Sequence, residues 1–180
     1  MPSLTVAQVK NIVRNMIKVR GITMNGLISP IPKSPPDLPI SFSLTPVWKS
    51  GNFFDAAHPT RIKVPNNRAG RYLIHAELQW SPKIGSKTFT DIQSTGGFFG
   101  AYLVRNNTTG MNLQKEAQTI AAVIAGSTLV THNVILETQL AASHFVELYV
   151  FQRVTGVDPG NDFAIEVNAT MTVRRLGRST

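Results

Sequence analysis

Residues 68–80, "RAGRYLIHAELQW", decide how the rest of the chain is read. After Gly70 the side chains alternate. Tyr72, Ile74, Ala76, Leu78 and Trp80 fall on one side, and Arg71, Leu73, His75, Glu77 and Gln79 on the other. Successive side chains of an extended chain point to opposite faces, so this period of two predicts a strand with its even-numbered residues in a core.

The same period recurs from about residue 41 onward. "SFSL" (41–44) alternates, and Ile62 and Val64 alternate with Arg61 and Lys63. "GGFFGAYLVRNNTTG" (96–110) reads as a strand ending in an Asn/Thr/Gly turn. "STLVTHNVIL" (127–136) alternates through Val130, His132, Val134 and Leu136. "HFVELYVFQ" (144–152) places Val146, Leu148 and Val150 on one face and Phe145, Glu147, Tyr149 and Phe151 on the other. "DFAIEVNATMTVRR" (162–175) buries Phe163, Ile165, Val167, Ala169, Met171 and Val173. "NLQKEAQTIAAVIAG" (112–126) reads equally as a short helix or as small-residue strand and loop. Many short alternating strands joined by polar turns predict an antiparallel sandwich or barrel.

The first 40 residues read differently. Residues 5–20 predict a helix, with Thr5 and Gln8 placed as a capping box and Gly21 as its stop. Val6, Val9, Val13 and Met16 form its apolar stripe, and Lys10, Arg14 and Lys18 a basic one. Like charges four apart repel by a few tenths of a kcal/mol, which an anionic partner relieves and a solvated face tolerates. "SPIPKSPPDLP" (29–39) holds five of the 11 prolines, and proline lacks an amide donor, so it reads as an extended tether. Two parts result: a basic arm over 1–40 and an all-β domain over 41–180.

At 180 residues and 42% hydrophobic content the chain has the makings of one globular domain with an appendage. It has no cysteine, so disulfides, thiolate metal sites and a cysteine nucleophile are excluded. No apolar run reaches the roughly 20 residues that span a bilayer, and the mixed apolar and basic N-terminus lacks a signal core, so synthesis and assembly in a host cytoplasm are expected. The net charge of +8 is concentrated at the ends: residues 1–50 hold Lys10, Arg14, Lys18, Arg20, Lys33 and Lys49 against Asp37, and the tail adds Arg174, Arg175 and Arg178. No catalytic, cofactor or metal constellation emerges. His75 and Glu77 share a strand face but read first as a surface pair, and His132 falls on an apolar face as a core histidine. "TGVDPGND" (155–162) lacks a full calcium-loop spacing and reads as a turn. Gly96, Gly97 and Gly100 have no Lys-Ser/Thr after them, so no phosphate-binding loop is indicated.

"TRIKVPNNRAGRYLIHAELQW" (60–80) resembles the TNF-like and complement globular-head jelly rolls, in which an apolar-x-Val-Pro strand leads through a turn ending in Gly-x-Tyr into a long alternating strand. Ile62, Val64, Pro65, Gly70 and Tyr72 carry the match, and "FFGAYLVRNNTTG", "AASHFVELYVFQ" and "DFAIEVNATMTVRRL" follow in the family's order. Ser143-His144 stands where the family has a Gly-Asp turn. The resemblance, over about residues 41–176, implies an antiparallel jelly-roll sandwich that forms homotrimers through apolar side chains on one sheet. Leu73, Phe145, Tyr149 and Phe151 lie opposite the expected core and are the interface candidates.

Such folds recur in bacteriophage particles as capsid decoration proteins and fibre knobs. The expectation is therefore a non-enzymatic virion protein, a trimeric cement whose arm residues Val6, Val9, Lys10, Val13, Arg14, Met16 and Lys18 dock on the major capsid protein or another virion component. One alternative is a receptor- or glycan-binding knob using Trp48, Trp80, Tyr102 and Tyr149. Another is a coat protein whose arm neutralises packaged nucleic acid, a task for which four positive charges are few.

Overall fold

The computed structural model describes residues 20–28, 31, 37–43, 45–82, 98–107, 110–120, 129–153 and 165–177. Ten strands run through them: β1 (Arg20–Ile28), β2 (Leu38–Pro39), β3 (Trp48–Ser50), β4 (Ile62–Lys63), β5 (Gly70–Pro82), β6 (Phe98–Asn107), β7 (Gly110–Ile120), β8 (Val130–Leu140), β9 (Phe145–Arg153) and β10 (Ile165–Gly177). The first sheet has the order β3-β1-β10-β5-β8 and the second β2-β9-β6-β7, with β4 also paired to β9. Every pairing between these strands is antiparallel. From β4 onward the chain passes between the sheets at nearly every connection, which is jelly-roll winding.

Strand β5 lies where its alternation requires. Tyr72, Ile74, Ala76, Leu78 and Trp80 are all at 0% exposure, while their odd-numbered neighbours face outward. β5 is flanked by β10 on one side and β8 on the other. Its inner residues meet Ile165, Val167, Met171 and Val173 in the same core. Phe99, Leu103, Val146, Leu148 and Val150 close that core from the second sheet. Aromatic rings bridge the layers: Trp80 lies 4.8 Å from Phe99 between ring centroids, and Phe53 meets Tyr72 edge-on at 6.2 Å. The turn before β9 is stabilised differently from a Gly-Asp turn. Ser143 adopts φ +66, a left-handed conformation uncommon for a residue with a Cβ, and its hydroxyl bonds Asn66 at 2.8 Å.

Three expectations are corrected. The boundary at residue 41 fails because Arg20–Ile28 pair with β10 along their whole length, placing Ile22 and Met24 in the core. Gly21 is thus no helix stop. It sits where an added Cβ would meet the Val173 carbonyl oxygen at 2.1 Å. Residues 1–19, with Val6, Val9, Lys10, Val13, Arg14, Met16 and Lys18, lie outside the described residues. The tether too is docked where it is described: the Ile31 amide bonds the Ile165 carbonyl at 2.9 Å, Leu38–Pro39 pair with β9, and the Ile40 amide bonds the Leu148 carbonyl at 2.8 Å. Pro39 fits because an edge strand can spare one donor. Finally, the described residues 41–43 of "SFSL" form a bridge between Phe42 and Gly26 in place of a longer strand, and the open choice at 112–126 resolves as a strand as far as Ile120.

Candidate functional site

Each sheet has an outer face, and the two are built in different ways. On the first sheet one row of side chains crosses all five strands: Trp48, Thr23, Thr172, His75 and Ile135. The row on one side holds Gly21, Arg174, Leu73 and Glu137, and the row on the other Asn25, Thr170, Glu77 and Asn133. Polar neighbours are fastened to one another. Thr23 and Thr172 hydroxyls lie 3.0 Å apart, Thr170 Oγ1 donates to Asn25 Oδ1 at 3.0 Å, and Arg71 pairs with Glu137. Among these sit apolar groups that water still reaches. Ile135 is 62% exposed, Leu27 55%, Leu176 48% and Trp48 39%. A shallow hollow lined by Asn25, Glu77, Gln79, Asn168 and Thr170 lies at the more polar end.

The outer face of the second sheet carries Phe145, Glu147, Tyr149 and Phe151 from β9 beside Phe98 and Tyr102 from β6. Tyr102 and Tyr149, directly opposite in the ladder, stack at 5.4 Å and 8°, and Phe98 meets Phe151 edge-on at 6.1 Å. The chain itself covers much of this face, although Phe98 stays 39% exposed. The Arg61 guanidinium lies 4.2 Å over the Phe145 ring, and Arg153 lies 5.2 Å over Phe151. Buried Glu147 accepts from Thr60 Oγ1 at 2.8 Å and Arg61 Nε at 3.2 Å. Asp37 accepts from the Tyr102 hydroxyl at 2.8 Å and pairs with Arg153. Burial, then the Asp37 bond, pushes the Tyr102 phenol up, and burial together with the Glu147 charge does the same at Tyr149.

The four interface candidates therefore separate. Phe145 and Phe151 are 5% and 4% exposed, and Tyr149 is half-buried in its stack, so all three are largely used within the chain. Leu73 lies on the other, open sheet. Of the proposed stacking residues, Trp80 is core, Tyr102 and Tyr149 occupy each other's faces, and Trp48 remains available. Sequence reading missed Asp37, Thr60, Arg61 and Arg153, and missed Ile135 as the most exposed apolar group of the open face.

The histidines perform local tasks. His75 Nε2 lies 2.8 Å from Asn133 Oδ1 rather than on Glu77. His58 Nδ1 lies 3.0 Å from Asp55 Oδ2, which lowers the Asp55 pKa and fixes an exposed turn. Among the described residues no three His, Asp or Glu groups are placed to hold a metal. The segment 155–162 lies outside them.

His132 is 9% exposed and accepts the Trp80 indole N–H at Nδ1, 2.7 Å away. Its other nitrogen, Nε2, has no acceptor among the described residues. Burial holds its pKa down to about 4 against an ordinary 6.5. Because the folded state takes up this proton less readily than the unfolded chain, the unfolded form gains protons first as pH falls below 6.5. Stability is thus complete above pH 6.5 and is lost progressively down to about pH 4, by on the order of 2 kcal/mol. His132→Asn, which keeps an acceptor for the indole and cannot titrate, is expected to flatten that limb in urea melts across the window. An unchanged limb would assign the acid sensitivity to other groups.

No family model matches the sequence, and no curated protein matches it. Among solved structures the chain is similar to the globular domain of zebrafish complement 1qA protein, with 9% sequence identity and a TM-score of 0.49 over 88% of this chain and 99% of that one.

Proposed function

We propose that this chain is a non-enzymatic structural protein of a virion, a capsid decoration protein that works as a homotrimer. In this reading the sandwich associates with two further copies through the outer face of its first sheet, and residues 1–19 fasten the assembly to the shell. One observation carries the self-association: Leu27, Trp48, Ile135 and Leu176 are exposed on one face, with half-buried Leu73 among them. They stand among threonines, asparagines and His75, with Trp48 and Ile135 at opposite edges of the sheet, so a partner that buries them must cover the whole face. The decoration role is supported by the basic stripe of Lys10, Arg14 and Lys18 ahead of the head and by the cysteine-free composition. Three linked arms bind with an avidity that a single arm lacks.

Light scattering of the full chain is expected to give three times the 19.7 kDa chain mass. Ile135→Lys is expected to give single chains with an unchanged melting curve, because a surface substitution costs within about 0.5 kcal/mol of fold stability. A trimer that survives Ile135→Lys and Leu73→Glu together rules out this face. Immunogold labelling of particles from the producing culture tests the virion assignment, which an unlabelled particle surface overturns. A receptor-binding knob keeps one observation in its favour, the amide-lined hollow beside Glu77, and binding of the full chain on a glycan array would promote it.

A further inference from the structure

The end of the sandwich where β1 begins and β10 stops is a basic pole. Arg20 stands opposite Arg175 in the β1–β10 ladder, and Gly21 opposite Arg174. One strand over, Tyr72 pairs with Arg175 and Arg71 with Gly177. Lys49 of β3 lies opposite Ile22, and Arg68 precedes β5 in the turn whose carbonyl accepts the Tyr72 hydroxyl. Six cations thus sit within a few ladder steps of one another. Among the described residues only Glu137 answers them, through Arg71. The remaining described carboxylate pairs, on Arg61, Arg153 and His58, are spent elsewhere.

A ring of charge at a strand end is ordinarily solvated, and two features separate this one from that case. Like charges directly opposite in a ladder are unfavourable, yet Arg20 and Arg175 are so placed and both are only partly exposed. Arg175 is also fixed in advance, donating from Nη2 to the Ala69 carbonyl at 2.5 Å and packing on Gly70, where an added Cβ would lie 3.0 Å from its Nε. A cation held in place before its partner arrives loses little freedom on binding. The sequence continues the same sign on both sides, with Lys10, Arg14 and Lys18 before β1 and Arg178 after β10.

We propose that this pole docks on an acidic protein surface, whose carboxylates meet Arg20 and Lys49 beside the fixed Arg175, with Arg174 on the opposite face of the same sheet end. The head itself, and not the arm alone, then grips the particle, an inference that rests on the decoration reading. Arginine's planar fork suits paired carboxylates. Nucleic acid instead favours a basic stripe or groove that tracks its backbone, and this cluster is confined to one end of the sandwich.

The test measures binding of the full chain to immobilised polyglutamate and to duplex DNA of matched charge, over a range of salt. Two full-length variants are compared, Arg20→Gln/Lys49→Gln/Arg174→Gln at the pole and Lys10→Gln/Arg14→Gln/Lys18→Gln in the arm, with melting curves as the check on folding. The pole variant is expected to melt no lower than the parent and to lose at least ten-fold in polyglutamate affinity, with a smaller loss in the arm variant. Undiminished binding by the pole variant overturns the proposal, and so does a parent chain that binds the duplex but not polyglutamate. If only the arm variant loses binding, the head contact fails while anchoring by the arm stands. Loss at the pole in a chain that is absent from particles supports the acidic-surface site and overturns the decoration reading instead.

Discussion

Gly70→Ala is expected to destabilise the fold by about 3 kcal/mol or more and to lower its melting temperature by roughly 10 °C. Gly70 has φ +156, outside the range comfortable for a residue with a Cβ. A Cβ there would also stand 2.1 Å from the Gly177 carbonyl oxygen, a backbone atom that no side-chain rotation can move aside. Relief would require the last pairing of β5 with β10 to open, at the point where the register already shifts between Arg175 and Gly177. Gly51→Ala is the control. Gly51 also has positive φ, at +113, but its new Cβ would meet only the Phe53 ring at 3.2 Å, and an aromatic side chain can yield by tenths of an ångström. A cost of about 1 kcal/mol is expected there. Circular-dichroism melts of both variants make the comparison, and equal effects would show that the close approach of β10 to Gly70 is not what constrains that turn.

The same glycine marks what the sequence could disclose. Strands β5 and β10 were legible because each buries one face and wets the other, and a period of two records that arrangement directly. β1 follows the same rule through Ile22 and Met24, yet it was hidden by its neighbours: a helical pattern precedes it and a proline-rich stretch follows. Gln114, Lys115 and Ala117 favour helix by intrinsic propensity, and their pairing with β6 selects the extended form. Parity within β9 correctly put Phe145, Tyr149 and Phe151 together, opposite the core. Parity says nothing of which sheet a strand joins, so Leu73 was grouped with them although it faces the far side of the molecule. Nor could local pattern find the groups that cover the aromatic face. Asp37 reaches Tyr102 across 65 residues, and Thr60 reaches Glu147 across 87.

Trp80→Ala is expected to cost about 4 kcal/mol, the second large effect. The indole is fully buried, sits between Val167 of β10 and Val130 of β8 in the ladder, and packs on Phe99 of the opposite sheet. Truncation leaves a cavity between two sheets that are tied down on either side, so collapse recovers little of the loss. Trp80→Phe separates packing from hydrogen bonding. Most of the ring volume stays, the N–H donor to His132 Nδ1 goes, and a cost of about 1–2 kcal/mol is expected, because among the described residues neither nitrogen of the buried His132 then has a partner. The two residues must also be coupled. An indole N–H aimed at Nδ1 opposes a proton there, so its removal is expected to raise the His132 pKa and to shallow the acid limb between pH 6.5 and about 4, even though the variant begins less stable. A double-mutant cycle of Trp80→Phe with His132→Asn, run at pH 7 and pH 5, measures that coupling. A limb equally steep in the parent and Trp80→Phe would mean that burial alone suppresses the charge on His132, with the indole serving only as packing.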